Sequence, residues 1–168
     1  MERRTADNLS SAFAAASLAE ARFRVYALRA QSDGHDRLAM LFEAAAETAA
    51  VHARRFMRLL RGRIGTTDEN LDVLLNREMP ALSESYRQFL ADAEDTGVKV
   101  AMEVFDHAGK VVTQVVNRIR TLVEADPGGA PDGPYQVCQV CGYTAQGEIP
   151  ERCPVCNGVA SKFKTLCV

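Results

Sequence analysis

Over residues 1–125, apolar side chains return every three or four positions, a spacing that predicts helices. Leu9, Phe13, Ala16, Phe23 and Ala27 mark a first helix over about 7–32, which Gly34 ends. Leu38, Leu41, Phe42, Ala45, Ala49, His52, Phe56 and Leu59 form the stripe of a second over about 36–61, closed by Gly62 and Gly65. A third is expected over about 68–95, with Thr67 as its N-cap and Asn70 in its first turn. Pro80 falls inside it and is expected to kink it or remove one backbone bond. Gly97 marks a turn, and a fourth helix follows over about 98–124.

The pattern then breaks. Asp126-Pro127-Gly128-Gly129-Ala130-Pro131-Asp132-Gly133-Pro134 has the composition of a linker. The expected organisation is a helical domain over 1–125, a linker over 126–134 and a small domain over 135–168. The small domain holds Cys138-x-x-Cys141 and Cys153-x-x-Cys156, with eleven residues between the pairs. A hairpin between the pairs brings four thiolates to one point, a set that suits zinc or a single iron. Gly142 and Gly158 follow the pairs, where tight turns can aim backbone N–H groups at the sulfurs.

Composition sharpens the picture. Hydrophobic residues make up 47% of the chain and Trp is absent, as packed helices allow. A net charge of -2 gives no sign of nucleic-acid binding. The polar start has no signal-peptide core, and no apolar run is long enough to span a membrane. A cytoplasmic protein is expected, and in that reducing compartment paired C-x-x-C motifs read as metal ligands rather than disulfides. Cys167 is a fifth, unpaired cysteine in the tail.

The helical part repeats itself. Thr5-x-x-Asn8-Leu9 recurs as Thr67-x-x-Asn70-Leu71 at an offset of 62. Leu41-Phe42-Glu43 recurs as Val104-Phe105-Asp106 at an offset of 63, and Arg55 then matches Arg118 and Leu59 matches Leu122. Helices three and four therefore copy the hairpin of helices one and two, and two such hairpins bury their stripes as a four-helix bundle.

A duplicated four-helix bundle followed by a closely spaced four-cysteine module resembles rubrerythrin, over Thr5 to about Phe163. Tyr135, Cys138-x-x-Cys141-Gly142-Tyr143, Pro150, Cys153-Pro154-Val155-Cys156 and Phe163 resemble the family's rubredoxin-type module. The fold implied is an all-α, ferritin-like four-helix bundle followed by a small rubredoxin-like metal module. The resemblance also implies non-haem iron chemistry: peroxide reduced at a carboxylate-bridged di-iron centre, with electrons arriving through the four-cysteine iron.

Carried over position by position, the family's bundle ligands are mostly missing. The Glu of helix one falls on Ala16, and the Glu-x-x-His of helix two on Ala49 and His52. On helix three one carboxylate survives as Glu78, while its partner falls on Ala81. The Glu-x-x-His of helix four falls on Val112 and Val115. The repeat supports this register, because Ala16 plus 62 is Glu78 and Ala49 plus 63 is Val112. Two irons need several carboxylates, so the expectation is a bundle without a di-iron centre. Glu20, His52 and Glu78 are the candidates for a vestigial bundle site. The competing reading pairs Glu20 with an Arg and makes His52 a buried neutral histidine, with Glu78 a possible partner.

The segment between the hairpins bears on assembly. Gly62 to Thr66 is five residues, which reach at most about 18 Å, against about 39 Å for a 26-residue helix. A parallel crossing is out of reach. The chain either forms a simple up-down bundle or exchanges hairpins with a second copy, and family members with short links do the latter. A domain-swapped homodimer is therefore expected. Three functions are in view: an electron carrier using one iron at Cys138, Cys141, Cys153 and Cys156; a peroxide-reducing oxidoreductase with an unusual metal site that includes His52 and Glu78; and a zinc-stapled structural or partner-binding dimer. Any redox partner is unidentified by the sequence.

Overall fold

The computed structural model describes residues 2–60, 64–125, 128 and 133–166. The chain falls into two compact units, Met1–Asn70 and Leu71–Val168.

The first unit is a helical hairpin, α1 (Arg3–Ser32) and α2 (Asp36–Leu59). Its seam is alanine: Ala27, Ala30, Ala46, Ala49, Ala50 and Ala53 are buried. Small side chains let the two backbones approach closely. Larger apolar residues lie beside the seam or outside it, Tyr26 meeting Phe42 edge-on at 5.8 Å between ring centroids. Gly34 stops α1 with φ of 77°, and the His35 N–H donates back to the Ala30 carbonyl at 2.8 Å. Helix α2 ends at Leu59, two residues before the expected end, and residues 61–63 lie outside the described chain.

The boundary between the units falls inside the expected third helix, which is not uniform. The helix runs as α3 (Thr67–Val73), a π-helical turn over Leu74–Glu78, and α4 (Met79–Thr96). Pro80 explains the interruption. It has no N–H for the Asn76 carbonyl, and its ring crowds that turn. The backbone widens instead, so that the Met79 N–H donates to the Leu74 carbonyl five residues back. The N-cap is Thr66, not Thr67. Thr66 Oγ1 accepts from the Glu69 N–H at 3.3 Å, and Glu69 Oε2 accepts from the Thr66 N–H at 2.7 Å, a reciprocal capping box.

Helix α5 (Lys99–Ala125) returns along α4, with Ala93 buried and Phe89 against Phe105 at 5.5 Å. Gly97, at φ of 69°, repeats the Gly34 device, and Val98 donates to Ala93 as His35 does to Ala30. These pairs are 63 positions apart, so the internal repeat extends to the hairpin turns.

Most of the linker read from composition, 126–127 and 129–132, lies outside the described residues, as does Cys167. Beyond it stands a three-stranded antiparallel sheet in the order β2-β1-β3: β1 (Tyr135–Cys138), β2 (Thr144–Gln146) and β3 (Phe163–Leu166). Tyr135 pairs with Gln146 on one side and Leu166 on the other, and Cys138 pairs with Phe163. A short 3-10 turn, Ala160–Lys162, leads into β3. Among the described residues no helix is long and apolar enough to cross a membrane.

Candidate metal centre

The four cysteines meet at one point. Their sulfurs all lie within 4.8 Å of one another, with Cys138 and Cys156 Sγ 3.7 Å apart and Cys141 and Cys153 Sγ 3.5 Å apart. Among the described residues they are the one group of three or more His, Cys, Asp or Glu side chains that converges in this way. The thiols are free, with no disulfide among them.

Each cysteine pair forms the same knuckle. In the first, the Gly142 N–H donates to the Cys138 carbonyl at 2.9 Å and the Cys138 N–H to the Tyr143 carbonyl at 2.8 Å. In the second, Asn157 donates to Cys153 and Cys153 to Gly158, both at 2.8 Å. The counterpart of Gly142 is therefore Asn157, not Gly158. Both take positive φ, 84° for Gly142 and 60° for Asn157, and Asn is among the few residues with a side chain that tolerate this region. Arg152 Nη1 donates to the Asn157 carbonyl at 3.2 Å and braces that turn. Gly158 is needed for a different reason. A Cβ there would sit 3.3 Å from Cys156 Sγ, in the wall of the site.

The first cysteine of each pair is the inner one. Cys138 and Cys153 are 1% and 2% exposed, whereas Cys141 and Cys156 are half-buried. Burial pushes the thiols of Cys141 and Cys156 up, against the pull of the Tyr143 and Gly158 N–H groups. Burial acts in the same sense on Cys138, but the N–H groups of Cys141 and Val140 and the neighbouring thiols outweigh it and hold Cys138 below the usual thiol range. The site is thus lined by N–H donors that stabilise sulfur anions. Four convergent thiols with such donors fit a tetrahedral thiolate-bound iron or zinc.

Of the bundle candidates, Glu20 and His52 lie in the first unit and Glu78 in the second. Glu20 accepts from Arg24 at 3.1 Å, and Arg24 also reaches Glu43 at 3.2 Å and Glu47 at 3.8 Å. The pairing of Glu20 with an arginine is what the competing reading expected. His52 is not the buried histidine that reading described. It is exposed on α2, its ring 6.3 Å from that of Phe56. It edges an open groove of about 500 Å³ on the first hairpin, lined by Ala16, Ala45 and Ala49 with Phe23 and Leu41. Glu78 is the exposed last residue of the π-helical turn. Ala49 and Val112 are buried and Val115 is half-buried, whereas Ala81 is exposed.

Sequence reasoning missed Asn157 and the groups on α5 that meet the module, Val111, Gln114 and Arg118. Asn157 was open to detection, since it follows Cys156 as Gly142 follows Cys141. No local signal marks the α5 groups, because their partners are about thirty residues away.

Comparison with known proteins bears on both parts of the chain. Residues 7–111 match the family model described as rubrerythrin, and residues 136–164 match that of the rubrerythrin rubredoxin-like domain. Nigerythrin of Nitratidesulfovibrio vulgaris is 29% identical over 90% of this chain and 81% of its own length. Rubrerythrin of Porphyromonas gingivalis is 29% identical over 97% of this chain and 90% of its own. Among solved structures, nigerythrin in its fully reduced, all-ferrous state aligns with a TM-score of 0.53 at 26% identity, covering 96% of this chain and 86% of that one.

Proposed function

This chain belongs to the rubrerythrin family and has the family's four-helix, ferritin-like class of fold with a rubredoxin-like four-cysteine module; from that premise we propose that it transfers electrons through one iron held by Cys138, Cys141, Cys153 and Cys156. The observation that carries the proposal is the pair of matched knuckles, which bring four sulfurs within 4.8 Å and aim N–H groups at them. Bound there, iron supplies a one-electron couple, which zinc does not. The chain's own residues do the rest. Cys138 and Cys153 anchor the site from the inside, Gly142 and Asn157 turn the backbone, and the N–H groups favour the thiolate form.

The bundle is proposed to be a scaffold without a di-iron centre. Ala16, Ala49, Ala81, Val112 and Val115 offer no ligand atoms, and Glu20 is engaged by Arg24. The remaining pair, His52 and Glu78, cannot balance the charge of two irons. Peroxide reduction at a di-iron site is therefore not part of this reading.

The scaffold is further proposed to be a homodimer with exchanged hairpins, in the cytoplasm. Large apolar side chains stay exposed on both hairpins, among them Val25 at 61%, Leu41 at 62% and Val104 at 58%. A second copy covers such surfaces, and a short link between hairpins favours exchange.

Spectroscopic redox titration tests the electron-transfer reading. The iron-loaded protein is expected to bleach and recover its thiolate-to-iron absorption in a reversible one-electron step. Any peroxide consumption is also expected to run at the same rate before and after His52→Ala, since His52 has no part in the reaction. A site that cannot be reduced, or peroxide turnover that collapses in the His52→Ala variant, contradicts it.

A further inference from the structure

The four-cysteine module does not merely follow α5; it sits on it. Gln114 Nε2 donates to the Thr144 carbonyl of β2 at 2.8 Å, and Arg118 Nη2 donates to the same oxygen at 3.1 Å. Arg118 Nη1 extends the contact to Gln146 Oε1 at 3.4 Å. One turn earlier on α5, Val111 lies under the first knuckle, where a Cβ added to Gly142 would come within 3.7 Å of its Cγ1. Residues 111, 114 and 118 share one helical face. The carbonyl they grip is three residues from Cys141, so the grip falls beside the metal-binding turn rather than at the far end of the sheet.

Two further observations make this a built contact. Gln114 Oε1 and Arg118 Nε are buried without hydrogen-bond partners among the described residues, so both side chains have surrendered water to take these positions. The internal repeat also provides a comparison within the molecule. At an offset of 63, Gln114 and Arg118 correspond to Val51 and Arg55 on α2. Val51 has no side-chain amide to donate, and Arg55 is exposed with no hydrogen bond or ion pair among the described residues. The amide–guanidinium pair occurs in the copy that precedes the module and not in the other.

We propose that Val111, Gln114 and Arg118 form a docking seat on α5 that holds the four-cysteine module in one orientation, with the Cys141–Gly142 turn against the helix. A redox partner then meets the metal site only from the faces that α5 leaves free. The seat is independent of which metal the cysteines hold, so it can fail while the electron-transfer reading stands, and the reverse.

The test uses the full chain loaded with zinc, whose diamagnetism suits backbone relaxation measurements. In the parent protein the amides of the module and of α5 are expected to share high order parameters, about 0.85, in a common frame. In a Gln114→Ala/Arg118→Ala double variant those of the module are expected to fall below about 0.6 while α5 stays rigid. Gln114→Val, which installs the residue that α2 carries, is expected to move in the same direction, and Arg55→Ala to change nothing. The iron-loaded variants should keep the parent thiolate-to-iron absorption. A module that moves independently in the parent, or stays locked in both Gln114 variants, overturns the proposal. So does loss of the iron absorption in the variants, because the pair would then support the module's own fold and not its seat.

Discussion

The two knuckles use the same hydrogen bonds with different residues, and the difference can be measured. Gly142 and Asn157 both hold positive φ. Gly142→Ala is expected to destabilise the metal-loaded module by about 1–2 kcal/mol, the usual cost of placing a Cβ in that region. Asn157→Gly is expected to be neutral within about 0.5 kcal/mol. Thermal unfolding of the loaded protein checks both, and equal losses at the two positions would contradict the pairing of Gly142 with Asn157. The thiols predict a pH dependence. Burial raises Cys141 and Cys156, so in the metal-free site they keep their protons to higher pH, and a metal must displace those protons. Affinity should therefore rise with pH. Release of even one proton gives about a hundredfold over two pH units, readable by chelator competition at about pH 6 and pH 8. A pH-independent affinity would mean that the thiols are already ionised. At this scale the sequence showed the ligands plainly, since C-x-x-C spacing is a local signal. It pointed correctly to a Gly158 N–H acting on Cys156, but it did not show that Asn157, one residue earlier, holds the turn.

Among the elements, the long third helix is the informative one. Pro80 announced an interruption, and the structure resolves it into a π-helical turn over Leu74–Glu78. The expected loss of one backbone bond falls at the Asn76 carbonyl, and one widened turn gives the Met79 N–H a partner in Leu74. Pro80→Ala is expected to restore regular hydrogen bonding and stabilise the helix by about 1 kcal/mol, a fraction of the roughly 3 kcal/mol that separates Pro from Ala in a helix interior. Hydrogen exchange of residues 74–80 together with thermal unfolding measures it, and unchanged protection would show that Pro80 is not the cause. The other helix boundaries were legible to within a few residues because glycines at positive φ end α1 and α4. The start of α3 was misplaced by one, since Thr66 and Thr67 are equally good caps until Glu69 is seen to complete the box with Thr66.

For the whole molecule, the repeat was the strongest guide: it gave two hairpins, and the turns at Gly34 and Gly97 obey it as well. What the hydrophobic stripes could not say is which residues stay inside a single hairpin. The buried seam of α1 and α2 is alanine, and larger members of the stripes, Leu38, Leu41 and Leu59, are exposed. Light scattering is expected to give the mass of two chains. Leu41→Glu, which places a charge on that uncovered surface, is expected to shift the protein toward single chains and to leave the four-cysteine spectrum intact. A parent protein with the mass of one chain would remove the homodimer from the account.

The metal chemistry is proposed to reside in the module and not in the bundle. Quantitative metal analysis of the protein reconstituted with iron, read together with its visible spectrum, tests it most directly. About one iron per chain with thiolate-to-iron absorption, lost together with the iron on Cys153→Ser, is the predicted result. About three irons per chain, two of them surviving Cys153→Ser, would contradict it and return a di-iron centre to the helices.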